Sequence, residues 1–356
     1  MFKLEKKENI DKSSIFMVPL YAIGCSLLFV FFLFILLGKN PVLALFIIFI
    51  EPLLSVFGIS ELIVKSTPLI IIALGLSFGF RAGVWNIGAE GQYTIGALSG
   101  GATILAFYPI SGLWLLPLSF LVSILAGALW GMIPAILKAK FNTNEILVSL
   151  MLTYVAILLL SAMVYGPLKE PDGFNFPESR LFHNSGILPV ILHGTRAHIG
   201  FLIALFLVII MHFLLTKHIL GFFIKVSGES SKALLFSGQS SNKIIYLSFL
   251  ICGGLAGMAG VIEVTGPIGQ LVPGIPIGYG FTAIIVAFLG RLNPIGIFLA
   301  GLLLALTYIG GEAAQMKLGL PNAITGVFQG VLLFFLLAAD AFTKYKISLI
   351  NIKWKS

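Results

Sequence analysis

Arg81-Ala82-Gly83-Val84-Trp85-Asn86-Ile87-Gly88-Ala89-Glu90-Gly91-Gln92 interrupts apolar sequence with several groups able to hold a polar molecule. Asn86 and Gln92 each offer amide donors and an acceptor, and Glu90 offers two carboxylate oxygens. Two glycines, Gly88 and Gly91, loosen the backbone between them. A second stretch of the same character is Gly269-Gln270-Leu271-Val272-Pro273-Gly274-Ile275-Pro276-Ile277-Gly278-Tyr279-Gly280-Phe281-Thr282. Asn86, Glu90, Gln92, Tyr279 and Thr282 are therefore the candidate residues of a path for a polar solute. A tight turn with Arg81 and Glu90 paired accounts for the first stretch as well.

Bond-making chemistry has no such support. The sequence contains no H-E-x-x-H, no C-x-x-C and no G-x-x-x-x-G-K-[ST], so no catalytic residues are assigned and the chain is not expected to hydrolyse ATP alone. Leu98-Ser99-Gly100-Gly101 lies inside an apolar run without a phosphate-binding loop and reads as helix packing. His183, His193 and His198 are ten and five residues apart, which matches no compact metal-ligand pattern. Cys25 and Cys252 lie in apolar runs. Neither a metal nor another cofactor is expected.

These groups must be positioned by something other than a soluble domain. Of the 356 residues, 58% are hydrophobic and only 10% charged, too few to cover a surface in water. At about 20 residues per crossing, the apolar stretches suffice for about ten helical spans. They fall near 16–38, 66–84, 92–109, 113–137, 146–166, 200–217, 244–263, 277–290, 295–310 and 322–340. The expected fold is an all-α, polytopic transmembrane bundle forming a single domain over 1–356. Gly75 and Gly79, Gly96 and Gly100, Gly127 and Gly131, and Gly253 and Gly257 supply small-xxx-small faces for close helix packing. Residues 40–65 are apolar but contain Glu51-Pro52, Glu61 and Lys65, and are expected to form an additional external or re-entrant amphipathic segment.

The net charge of +8 follows from orientation. With both termini inside, 16 of the 22 Lys and Arg residues fall on the cytoplasmic side and 6 outside, as the positive-inside tendency requires. Residues 1–15 and 341–356 are then cytoplasmic, 166–199 form an external loop and 217–243 an internal one. Contact with membrane lipid explains the basic surplus without nucleic acid. Within the internal loop, 227–238 read as a short helix with serine at its cap, Glu229 near its start and Gly238 at its stop. Its Ala233-Leu234-Leu235-Phe236 run needs a partner protein or the lipid interface.

The Arg81–Gln92 stretch closely resembles the signature of permease subunits of bacterial ABC importers for nucleosides and simple sugars, a branched-chain amino acid/ribose-type family. The nucleoside branch is the better match. Agreement continues in order through Asn144-Glu145-Ile146, Leu150-Met151-Leu152 and Tyr154, then Gly228-Glu229…Ala233…Gly238 and Gly253-Gly254-Leu255-Ala256-Gly257. It ends with Gly278-Tyr279-Gly280-Phe281, Ala287-Phe288-Leu289-Gly290-Arg291 and Asn293-Pro294, covering about residues 65–340. The resemblance implies a multi-pass subunit of the bacterial cytoplasmic membrane that translocates nucleosides, purine nucleosides among them, by alternating access. It also implies cytoplasmic ABC ATPase subunits, a second permease subunit, identical or different, and an external solute-binding protein or lipoprotein. Glu229, Lys232, Ala233 and Gly238 fall where such importers place the helix that couples to the ATPase, although Ser231-Lys232-Ala233 keeps one of two usual alanines. A simple-sugar ABC permease is the alternative within the family. A secondary transporter working without an ATPase is the alternative outside it, with Glu90, Glu263 and Asp340 as ion-coupling candidates.

Overall fold

The computed structural model describes residues 2–6, 12–108, 110, 112–173, 175–321 and 323–349. Parts of the expected cytoplasmic termini, 1–15 and 341–356, and the side chain of Asp340 lie outside the described residues. Thirteen α-helices make up the described chain: α1 Lys12–Leu36, α2 Pro41–Phe49, α3 Val56–Arg81, α4 Ala89–Ala106, α5 Leu115–Phe141, α6 Glu145–Tyr165, α7 Gly200–Thr216, α8 Ile219–Glu229, α9 Ser231–Phe236, α10 Ser241–Glu263, α11 Tyr279–Leu289, α12 Pro294–Leu318 and α13 Ala323–Lys344. Two short strands, β1 Phe2–Lys6 and β2 Tyr345–Leu349, pair antiparallel with Phe2 opposite Leu349 and Lys6 opposite Tyr345. The expectation of an all-α chain therefore holds for the body but not for this terminal ribbon.

Every apolar run read from the sequence lies on a helix, but the helices are not equivalent. Six are long and apolar enough to cross a membrane: α1, α3, α5, α6, α10 with the turn that extends it, and α12. A seventh results if α7 and α8, bent by 67° at their junction, are taken together. The other helices differ for physical reasons. Helix α11 has 11 residues, about 16 Å of rise, roughly half of a bilayer's hydrocarbon core. Helix α4 is buried over most of its length against protein, which permits its Glu90, Gln92 and Tyr93.

The segment 40–65 corrects the expectation of one amphipathic piece. Asn40 accepts hydrogen bonds from the amides of Val42 and Leu43 and starts α2. Glu51–Leu54, containing Pro52, form a 3₁₀ turn where the break was expected. Ser55 Oγ then accepts from the Gly58 amide at 3.0 Å and starts α3, so Glu61 and Lys65 belong to that long helix. The Ser55 cap is a local signal that the two acids obscured.

The described chain divides into two compact units. In the smaller, residues 1–51 with 310–356, α1 packs along α13, and Lys317 pairs with Glu51. The larger, residues 52–309, is organised around α10, which packs on α3, α4 and α5. Here the small-residue spacing does its work. A side chain on Gly96 would strike the backbone of Gly257, and one on Gly257 would strike Ser123, so α4, α5 and α10 approach as near as bare backbones allow. Ser123 Oγ donates to the Gly96 carbonyl at 2.6 Å within this crossing.

Candidate functional site

The Arg81–Gln92 stretch forms an irregular link between α3 and α4. Its first residues close the end of α3, with Gly83 at φ +76°, a conformation open to glycine at little cost. Arg81 does not pair with Glu90; its Nε donates to the Leu292 carbonyl at 3.0 Å. Leu292 and Arg291 hold positive φ angles, 56° and 54°, in the turn between α11 and α12.

Asn86 and Gln92 face each other. Asn86 Nδ2 donates to Gln92 Oε1 at 2.8 Å, and Gln92 Nε2 donates back to Asn86 Oδ1 at 3.2 Å. Asn86 Oδ1 also accepts from the Gly88 amide at 3.1 Å. Both side chains are buried, and the reciprocal amide pair fastens the link to the first turn of α4.

Glu90 lies in the same turn and is 1% exposed. One carboxylate oxygen accepts from the Gly278 amide at 2.8 Å, and the other accepts from the Gly280 amide. Those amides open α11, so Glu90 supplies the acceptors that the first turn of a helix lacks. The N-termini of α4 and α11 meet here, and a Cβ on Gly280 would strike the backbone of Ala89 and Glu90. A carboxylate between two such positive ends is electrostatically favourable. The two glycine-interrupted stretches are thus brought together through Glu90.

Tyr279 and Thr282 follow on α11 and are buried. Tyr279 meets Tyr93 edge to face at 6.1 Å and Tyr308 at 5.6 Å between ring centres. The hydroxyls of Thr282 and Tyr308 share a hydrogen bond of 2.8 Å. None of the five candidate path residues is exposed in this conformation. Tyr93 and Tyr308 complete this cluster, and their positions inside apolar helices give no local signal in the sequence.

The segment before α11 is held from the loop 166–199. After α10 the chain makes a π turn, Val264–Ile268, and runs irregularly to Gly278. The amides of Ser179, Phe182 and Leu188 donate to the carbonyls of Leu271, Gly269 and Thr265 at 2.8–2.9 Å. The same loop sends Arg196 to Glu61 of α3 through two hydrogen bonds, 3.0 and 2.5 Å. Its His198 is buried, accepts from the Gly200 amide at 3.2 Å, and is held by burial at a pKa of about 4. Glu263, at the end of α10, is buried, and its Oε2 has no hydrogen-bond partner among the described residues. No group of three or more potential metal ligands occurs among the described residues.

The loop 217–243, expected to be internal, contains α8 and α9. Ser230 is extended, so the single short helix expected over 227–238 is interrupted there. Glu229 consequently ends α8, in an i,i+4 pair with Lys225 at 4.0 Å, while Lys232 and Ala233 belong to α9. Ser230 Oγ caps α9 by accepting from the Ala233 amide at 3.3 Å, and Gly238, at φ +78°, follows its end. Leu234 is buried but Phe236 is 94% exposed. Beside α9 lies a polar crevice of about 290 Å³, bordered by Lys138, Glu145, Ser227, Glu229, Ser231 and Ser241.

Comparison with known proteins bears on this arrangement. Residues 58–337 match the family model described as branched-chain amino acid transport system / permease component. The chain is 36% identical over 323 residues to a glucose ABC transporter permease protein of Haloferax volcanii, covering 88% of this chain and 84% of that protein. It is 32% identical to a guanosine ABC transporter permease protein of Bacillus subtilis, covering 81% and 83%. Identity is 29% to a nucleoside ABC transporter permease protein of Lactococcus lactis subsp. cremoris, over 92% of each chain. No solved structure matches. The matched span contains both glycine-interrupted stretches and the Glu90 contact between them, and the chain belongs to this family of ABC transport permeases, as a multi-pass protein of the cytoplasmic membrane.

Proposed function

We propose that the chain is the membrane-spanning subunit of an ATP-driven importer that carries nucleosides, purine nucleosides among them, into the cytoplasm. The observation that carries this reading is the meeting of two irregular segments at Glu90 inside an apolar helical body. Unwound backbone within a membrane is tolerated where it is buried in protein or lines a water-filled path, and paired interruptions of this kind mark transporter sites. Relatives named for guanosine and for nucleosides support the solute class.

In this reading the chain has about ten membrane-embedded helical segments in one permease domain, with both termini inside. ABC ATPase subunits bind the 217–243 side, through Glu229, Lys232, Ala233 and Gly238. A second permease subunit completes the path, and an external binding protein or lipoprotein delivers solute to the 166–199 side. ATP binding and hydrolysis in the partner chains rock the permease subunits between outward- and inward-open states. Asn86, Glu90, Gln92, Tyr279 and Thr282 shape the path by fixing its broken helices. The tight α4–α5–α10 crossing favours rigid-body movement, because close-packed backbones leave little room for gradual deformation.

The glucose permease relative favours a second reading, a simple-sugar importer. Reconstitution of the chain with its partner subunits decides between them: guanosine should stimulate ATP hydrolysis and be taken up, whereas stimulation by glucose alone would favour the sugar reading. Uptake should stop in Glu229→Arg with the protein still folded. Unimpaired uptake in that variant would remove the coupling role.

A further inference from the structure

Glu263 ends α10 inside the larger unit, buried, and its Oε2 has no hydrogen-bond partner among the described residues. The hydroxyl of Tyr93, fully buried on α4, is likewise unpartnered among them. The two side chains share one neighbourhood. Gly260 lies three residues before Glu263, on the same face of α10, and a side chain there would strike the Tyr93 carbonyl. The Tyr93 hydroxyl is within electrostatic reach of Glu263, and its ring meets Tyr279 of α11 edge to face. Tyr279 in turn meets Tyr308, which hydrogen-bonds Thr282. The unsatisfied pair therefore adjoins the cluster that holds two of the candidate path residues. We propose that Tyr93 and Glu263 form a subsite for a ring hydroxyl of the transported solute, a group that ribose and hexose rings share.

The chemistry of the two groups selects this guest. An ionised carboxylate only accepts hydrogen bonds, whereas a phenol hydroxyl donates and accepts. One solute hydroxyl satisfies both, donating to Glu263 Oε2 and accepting from Tyr93. A cation would suit the carboxylate alone, and the setting opposes it. Lys65, Arg196 and Glu61 stand within electrostatic reach of Glu263. Two cations against two carboxylates leave the region without net charge, which favours a neutral guest. Glu90, also within reach of Tyr93, is already engaged by two amides. Water has the same donor and acceptor character, so a solute hydroxyl exchanges with it without leaving either group unsatisfied. Both atoms are closed off in this conformation. Solute reaches them as the permease moves between its outward- and inward-open states, so the inference rests on the importer reading but not on the choice between nucleoside and hexose.

The test is equilibrium binding of labelled guanosine and of labelled glucose to the purified permease–ATPase complex without its external binding protein, with uptake by the complete importer in parallel. Tyr93→Phe removes only the hydroxyl and should weaken guanosine binding about 2- to 10-fold; Glu263→Gln removes the charge and should weaken it about 5- to 10-fold. The wild-type complex should bind 2′,3′-dideoxyguanosine about 10-fold more weakly than guanosine. In the two variants that difference should shrink to about two-fold or less, because the partner of the missing hydroxyl is already gone. A merely structural role would weaken both solutes alike, and that result would overturn the proposal. So would variants that bind as wild type does, or a wild-type complex that binds neither guanosine nor glucose. If Glu263→Gln fails to assemble with the ATPase, Tyr93→Phe carries the test; failure of both variants to assemble would overturn it. Glucose bound and taken up in place of guanosine would reject the nucleoside reading, and the subsite would stand if the monodeoxyglucoses then show the same loss of discrimination in the variants and fall if they do not.

Discussion

Replacing Glu90 by glutamine tests whether this buried carboxylate holds α11 in place or acts directly on solute or protons. Two backbone amides, those of Gly278 and Gly280, donate to separate oxygens of Glu90. A hydrogen bond to a charged group contributes about 1.5–3 kcal/mol. Glutamine keeps one acceptor but turns an NH₂ group toward the second amide, losing one such bond and opposing two donors. The carboxylate charge between the N-termini of α4 and α11 is lost as well. The expected cost is about 2–4 kcal/mol, and for Glu90→Ala, which abandons both amides, about 3–5 kcal/mol. At about 2–4 °C per kcal/mol for a body of this size, Glu90→Gln should lower the melting temperature by about 5–15 °C. The assay is thermal unfolding of the purified protein in detergent, followed by intrinsic fluorescence, with uptake measured in parallel. A melting temperature within about 1 °C of wild type, accompanied by complete loss of uptake, would refute the capping argument. Glu90 would then belong to the chemistry of transport, as in an ion-coupled carrier.

Other perturbations have equally definite expectations. Gly280→Ala places a Cβ against the backbone of Ala89 and Glu90; it should destabilise by about 1–3 kcal/mol or more, visible as a lower melting temperature and a smaller monodisperse fraction on size exclusion. Arg196→Ala leaves the buried Glu61 without its two-pronged donor; because Arg196 is half exposed, the loss should be about 1–3 kcal/mol and should loosen the 166–199 loop, measured as faster amide exchange there. His198 has a folded pKa of about 4 against an ordinary 6.5. The unfolded chain therefore takes up the proton first as pH falls, and stability should decrease from about pH 6.5 down to about pH 4 and then level off. His198→Asn should flatten that part of the melting-temperature profile.

Much of the fold is legible in the sequence because its determinants are local. Apolar runs of about helix length mark helices, and caps such as Asn40, Ser55, Asn144 and Ser230 act within three residues of their own position. The interruption of 227–238 at Ser230 is also local, but cap and helix interior compete for the same serines, so the sequence pattern alone leaves the boundary open. The two glycine-interrupted stretches are recognisable as exceptional because polar groups and glycines are rare in so apolar a chain.

The roles of those polar groups were decided by packing. Nothing near Glu90 in sequence indicates that its partners are amides 188 and 190 residues away, and nothing near Arg196 indicates Glu61, 135 residues away. The first pair depends on where the N-termini of α4 and α11 meet, and the second on how the 166–199 loop reaches α3. Asn86 and Gln92 illustrate the division: six residues apart, they are visibly a pair of amides in the sequence, but only the fold of the intervening link turns them toward each other. Sequence by itself determined a membrane bundle of helices and the permease family, since composition, hydrophobic run length and short motifs are written along the chain. Tertiary structure decided that α11 is a short helix started by Glu90, because a helix end buried in a membrane must find its hydrogen-bond acceptors wherever the packed chain supplies them.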